Sequence, residues 1–204
     1  MTPTQTSQNA HTEQTTALDE APQTIQLAAN LQRIVLTGFM GAGKSTVGRL
    51  LAARLGWKFL DLDQYLEART GLTVPEIFAL HGEAHFRRLE SSALASALGQ
   101  AGTVLALGGG TPEILTNRLL LEQTPGTLTV FLDAPFPTLF DRCVLQNVSR
   151  PVLADPALAE LRFMERHPIY RRLARHTVDT SSSEPDDTVA AVIEALAPAA
   201  RRGR

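Results

Sequence analysis

The sequence predicts a three-layer α/β/α domain built on a five-stranded parallel sheet. Three observations carry that prediction. Short β-branched apolar runs alternate with helical segments from Gln32 onward. Glycine-rich turns follow the first and third of those runs. The 44% hydrophobic and 20% charged composition of the 204 residues is that of an ordinary globular chain. Strands separated by helices pair in parallel and need cover on both faces.

The elements follow in order. Arg33–Thr37 is an apolar run that ends in the turn 38–43, and Lys44–Leu55 follows with Val47, Leu50, Leu51 and Leu55 three and four residues apart. Lys58–Asp61 reads as a second strand, expected beside the first, and a helix through Tyr65 and Leu66 ends near Gly71. Val74–His81 and Glu83–Leu98 read as two helices parted at Gly82. Thr103–Leu107 is a strand of the fully buried type, and Pro112 suits the first turn of a helix. Thr127–Leu132 and Thr177–Asp179 are the last strands. Pro135–Val144, a stretch from Ala157 to about Ala174, and Asp186–Leu196 are the last helices. Residues 1–30 contain no Lys or Arg and almost no large apolar side chain before Ile25. They are expected to form a disordered tail ahead of a single domain at 31–199, because they cannot offset the entropy of ordering.

Composition also excludes. A net charge of −2 draws the chain to neither nucleic acid nor anionic membrane, and no apolar run reaches the length of a membrane span. Cys143 is the single cysteine, so internal disulfides and cysteine-based zinc sites are ruled out. The tail lacks both a secretory pattern and the arginines of a transit peptide, and a cytoplasmic monomer is expected. Lys44 and Lys58 are the only lysines among 19 basic residues, which raises the question of what needs an ammonium.

Gly38-Phe39-Met40-Gly41-Ala42-Gly43-Lys44-Ser45 matches G-x-x-x-x-G-K-[ST] in full, between a predicted strand and a predicted helix. In that pattern backbone N–H groups of Gly41, Ala42, Gly43, Lys44, Ser45 and Thr46 surround phosphate oxygens at a helix N-terminus. Lys44 would reach the outer phosphates of ATP and Ser45 would hold Mg²⁺. The motif points to a nucleoside triphosphate without saying what is done with it.

Asp61 and Asp63 close the second strand. If the chain stays extended there, both point the same way, one toward the Mg²⁺ shell and one toward an acceptor hydroxyl. The alternative is that Asp63 caps the following helix. The third strand ends in Gly108-Gly109-Gly110 rather than an acid, which leaves the metal role to Ser45 and Asp61. Those three glycines allow close backbone approach to a small ligand, or form a plain turn. Arg87, within His85-Phe86-Arg87-Arg88-Leu89-Glu90, is either held beside Phe86 or part of a solvated helix face. Arg150 lies in a proline-bearing loop able to fold over a transferring phosphate, and Arg166 lies on the helix after it. The histidines lack metal-ligand spacing.

Taken together, these motifs resemble the shikimate kinase family over roughly residues 31–197, in the family's order. They are Gly38–Thr46, Phe59-x-Asp61-x-Asp63, Gly82-Glu83-x-x-Phe86-Arg87-x-x-Glu90, Gly108-Gly109-Gly110, Arg150-Pro151-x-Leu153 and Arg166-x-Pro168-x-Tyr170. The resemblance implies a P-loop kinase fold of the nucleoside monophosphate kinase type, with an acceptor-binding segment near 63–100 and a lid near 145–158. It implies ATP-dependent phosphorylation of the shikimate 3-hydroxyl, on the way to aromatic amino acids, with Mg²⁺ as cofactor. By the same resemblance Asp63, Arg87, Gly108, Gly109, Gly110 and Arg166 contact shikimate, Lys44, Asp63 and Arg150 are catalytic, and Ser183 and Pro185 lie near adenine. The chain departs from the family at Cys143, where an arginine is common, with Arg142 one step away, and has Val152 for the usual leucine. A kinase for another small acceptor such as gluconate, and a nucleotide switch on the same fold, are the rival readings.

Overall fold

A computed structural model describes residues 27–145 and 155–197 of the chain. β1 (Arg33–Thr37) is buried along its whole length, which its unbroken apolar run requires, and it lies mid-sheet. α1 (Lys44–Leu55), β2 (Lys58–Asp61), α2 (Leu62–Thr70), α3 (Val74–Leu98) and β3 (Thr103–Ala106) follow. After β3 come a single 3₁₀ turn (Thr111–Glu113), α4 (Leu115–Gln123), β4 (Thr127–Asp133), α5 (Phe136–Leu145), α6 (Pro156–Leu173), β5 (His176–Asp179) and α7 (Pro185–Leu196).

All strand pairings are parallel, in the order β2-β3-β1-β4-β5. The expected adjacency of the first two strands is therefore wrong, because β3 lies between them. Local patterns specify a strand but not its neighbour. Val104 and Leu105 have apolar side chains on both faces and fit a central slot, whereas Lys58 at the start of β2 is exposed and suits the edge.

Alternation along β1 divides the core. Ile34 and Leu36 pack with Val47 and Leu51 of α1, Tyr170 of α6 and Val189 and Val192 of α7. Val35 faces the other layer, with Leu62 and Leu66 of α2, Phe86 and Leu94 of α3 and Leu121 of α4. The break foreseen at Gly82 is a kink within α3, where φ is 75° and ψ 173°. Leu27 and Leu31 also pack on the first layer, so the folded unit includes the end of the stretch assigned to the tail. Residues 1–26 and the core of the expected lid, 146–154 with Arg150, lie outside the described residues.

The amino ends of the strands are tied by Arg33, which is 5% exposed. Its guanidinium donates to the carbonyls of Pro125 (2.7 Å) and Gln100 (3.4 Å), to Thr127 Oγ1 (3.1 Å) and to Gln32 Oε1 (2.9 Å). Burial pulls its pKa below the ordinary arginine value. Arg33→Leu should lower the unfolding free energy by about 1–3 kcal/mol, because it strands buried acceptors. Binding at the opposite end of the sheet should be unchanged. Urea unfolding tests this, and an unaltered midpoint would contradict it.

Candidate active site

The carboxyl ends of β1, β2 and β3 meet at one edge, where open parallel sheets bind ligands. After β1 the chain turns through Gly41, whose φ is 78°. A Cβ there would lie 2.3 Å from the Leu139 carbonyl oxygen, so only glycine fits. Phe39 anchors the turn from below, buried and edge-on to Phe163 of α6 at 5.5 Å and to Phe136 of α5 at 6.3 Å. Lys44 opens α1, and its Nζ donates to the carbonyls of Gly38 and Phe39, each at 2.9 Å. The loop's own carbonyls thus position the ammonium beside the helix N-terminus.

Asp61 and Asp63 do not share a strand face, because the chain becomes helical at Leu62. The cap of α2 is Asp61 rather than Asp63, and Asp61 Oδ1 accepts from the Asp63 backbone N–H at 3.1 Å. Its other oxygen, Oδ2, accepts from Ser45 Oγ at 2.7 Å. One carboxylate thereby joins the start of α1 to the start of α2. Two hard oxygen donors side by side at a phosphate loop fit Mg²⁺, which keeps waters and phosphate oxygens in most of its shell. Among the described residues no cluster of three or more His, Cys, Asp or Glu could hold a metal without such help.

The three glycines after β3 sit among the charged side chains. A Cβ on Gly108 would lie 2.9 Å from Asp63 Oδ1 and 3.1 Å from Glu90 Oε1. One on Gly110 would fall 2.6 Å from Arg87 Nη1 and 2.8 Å from Glu113 Oε2, so a side chain at either position would push those charged groups aside. Gly109 faces Arg166 and Tyr170, and the Tyr170 hydroxyl donates to its carbonyl at 2.6 Å. Burial pushes the Tyr170 phenol well above its usual pKa, with Glu113 adding and Arg166 opposing.

Arg87 is not a solvated helix-face residue. Its Nη1 donates to Glu90 Oε2 at 2.9 Å and its Nη2 to Glu83 Oε1 at 3.2 Å, and Glu113 Oε2 lies 3.6 Å from Nη2. Burial alone would lower its pKa, but Glu90, then Glu83 and Glu113, outweigh it and hold the guanidinium above its ordinary value. Glu90 is 1% exposed and also accepts from Thr111 Oγ1 at 2.6 Å. Arg166 Nη2 donates to Glu113 Oε2 at 2.9 Å. The structure therefore gathers Asp63, Arg87, Gly108, Gly109, Gly110 and Arg166, with Lys44, Ser45 and Asp61 at the same sheet edge.

Glu113 was missed by sequence reading. It follows Pro112 in a short turn, and nothing local marks it as the partner of arginines on two other helices. The other missed contact is His167 Nε2, 3.1 Å from Asp133 at the end of β4, which ties α6 to the sheet beside Arg166. Ser183 and Pro185 fall at the loop before α7 and its first turn. Arg142 reaches that loop, donating to Thr180 Oγ1 and to the carbonyls of Thr180 and Ser181. Its neighbour Cys143 is buried, with Sγ 3.1 Å from where a Gly41 Cβ would sit.

Comparison with known proteins bears on this geometry. The shikimate kinase family model matches residues 40–197. A shikimate kinase of Symbiobacterium thermophilum is 41% identical over 174 residues, 83% of this chain and 99% of its own length. One of Methylococcus capsulatus is 41% identical over 179 residues, 86% of this chain and 98% of its own. The solved shikimate kinase of Acinetobacter baumannii, in complex with shikimate, superposes with a TM-score of 0.76 at 35% identity, covering 81% of this chain and 93% of that one. A phosphate loop and two partly buried arginines at one end of the sheet, a family model spanning most of the domain and relatives matched almost end to end lead to one conclusion: the chain belongs to the shikimate kinase family.

Proposed function

We propose that the chain transfers the γ-phosphoryl group of ATP to the 3-hydroxyl of shikimate, releasing ADP and shikimate 3-phosphate for aromatic amino acid biosynthesis. The observation that carries this reading is the convergence of Arg87, Arg166 and Asp63 on the glycine turn, beside a phosphate loop. Shikimate is a small polyol carboxylate. Guanidinium forks suit its carboxylate, an aspartate suits its hydroxyls, and a turn without side chains leaves room for the ring.

Phosphoryl transfer asks mainly for alignment and charge neutralisation. Lys44 would leave the Gly38 and Phe39 carbonyls for the phosphates, which backbone N–H groups from Gly41 to Thr46 would cradle. Ser45 and Asp61 would hold Mg²⁺, which offsets charge on the β- and γ-phosphates when bound. Asp63 would orient the acceptor hydroxyl and accept its proton. Arg150 would close over the phosphates, and Ser183 and Pro185 would border adenine. The reading includes a monomer acting in the cytoplasm, and among the described residues no helix is long and apolar enough to cross a membrane.

The direct test is ADP release measured with and without shikimate. Strong acceleration by shikimate is expected, and acceleration by gluconate instead would overturn the assignment. Lys44→Met should keep the fold and cut turnover about 10³-fold or more, since it removes charge aimed at the phosphates. Normal turnover would remove the loop from the mechanism. Asp63→Asn should impair transfer far more than ATP binding, as single-turnover rates and nucleotide titration will show. Arg166→Ala should weaken shikimate binding roughly 10- to 150-fold and leave ATP affinity unaltered. Arg87→Ala should lose stability as well, because it leaves Glu90 buried and unpaired. Calorimetric titration separates these outcomes, and equal loss of ATP and shikimate by Arg166→Ala would refute the carboxylate clamp.

A further inference from the structure

The two arginines assigned to the acceptor carboxylate already hold one. Glu113 Oε2 accepts from Arg166 Nη2 at 2.9 Å and lies 3.6 Å from Arg87 Nη2, so a single oxygen serves both guanidinium groups. We infer that Glu113 is an internal stand-in for the acceptor carboxylate, which shikimate must displace, and that this competition sets the affinity and carboxylate selectivity of the site. The inference rests on the function proposed above.

Three features distinguish Glu113 from an ordinary structural counter-ion. The first is exposure. Glu90 is 1% exposed behind Arg87 and fully engaged with Arg87 and Thr111, whereas the Glu113 side chain is 25% exposed. Glu90 is the fixed partner and Glu113 the one with room to leave.

The second is how the backbone beneath it is held. Arg118 Nη1 donates to the carbonyls of Pro112 and Glu113 at 2.6 and 2.9 Å, and Asn117 Nδ2 donates to the Thr111 carbonyl at 2.9 Å. The turn Thr111–Glu113 is pinned from α4, so the side chain can rotate about its own bonds without dragging the glycine turn.

The third is incomplete satisfaction of Arg166. Glu113 engages Nη2 only, and Nε of Arg166 is buried with no hydrogen-bond partner among the described residues. A carboxylate that replaces Glu113 and spans Nε and Nη2 would make the paired, parallel contact that guanidinium groups favour. It would also satisfy a donor whose isolation is costly. A neutral polyol cannot make that exchange and would leave Glu113 in place. The self-contact therefore weakens binding of a carboxylate acceptor and scarcely alters that of an uncharged one.

A site whose competent form is only part of the population binds more weakly by that fraction. Glu113→Gln keeps the shape and removes the competing charge, so its calorimetric Kd for shikimate should fall about 3- to 10-fold below the parent's. The neutral amide of shikimate should show a much smaller change, and ATP none. A crystal structure of the parent chain with shikimate gives a second test that no folding defect can spoil. In it the Glu113 carboxylate should have left Arg166. Unchanged or weaker shikimate binding by Glu113→Gln, equal tightening for shikimate and its amide, or Glu113 still bonded to Arg166 in the complex would each overturn the inference. Failure of the parent to bind shikimate at all would instead refute the proposed function.

Discussion

The acceptor side of this molecule depends on one buried carboxylate. Glu90 is almost wholly removed from water, and a charge in that position persists only when paired and hydrogen-bonded. Arg87 supplies the pair and Thr111 the second hydrogen bond. Meeting that requirement docks α3 against the turn after β3, fixes the reach of Arg87, and places the three glycines under the cleft. Glu113 and Arg166 extend the same network to α6. A chain of alternating charges thus spans three segments distant in sequence.

The nucleotide side is organised by different physics and joined to the acceptor side at Asp61. Backbone curvature at Gly41, the aromatic anchor of Phe39 and the start of α1 shape the loop whose main-chain groups would cradle an anion in the proposed mechanism. Asp61 then bonds Ser45 with one oxygen and the first turn of α2 with the other, which sets Asp63 in register with the loop. Phosphoryl transfer needs two reactants in line, and in the proposed mechanism this carboxylate would set their relative position.

Contiguous features were legible in the sequence. The phosphate loop, the helix break at Gly82 and the glycine turn are each carried by a short run whose chemistry permits few conformations. Features assembled across the chain were not. The position of β3 between β1 and β2 depends on packing of whole layers. The turn at Leu62, which makes Asp61 the cap, depends on helix α2 meeting Val35 and Leu94 in the second core layer. Arg87 read as equally suited to solvent, because the burial of Glu90 is a property of the folded site. Glu113 and the His167–Asp133 contact had no local signal, since their partners arrive from other elements.

The claim that a buried Glu90–Arg87 pair organises the acceptor side, independently of the nucleotide side, is tested most directly by Glu90→Gln. The amide keeps the size and the acceptor for Thr111 but removes the charge that holds Arg87. Melting temperature and separate calorimetric titrations with shikimate and with ATP give the readout. The expected result is a clear loss of stability and of shikimate affinity with ATP affinity retained. Parental stability and shikimate binding, or equal loss of both ligands, would contradict it.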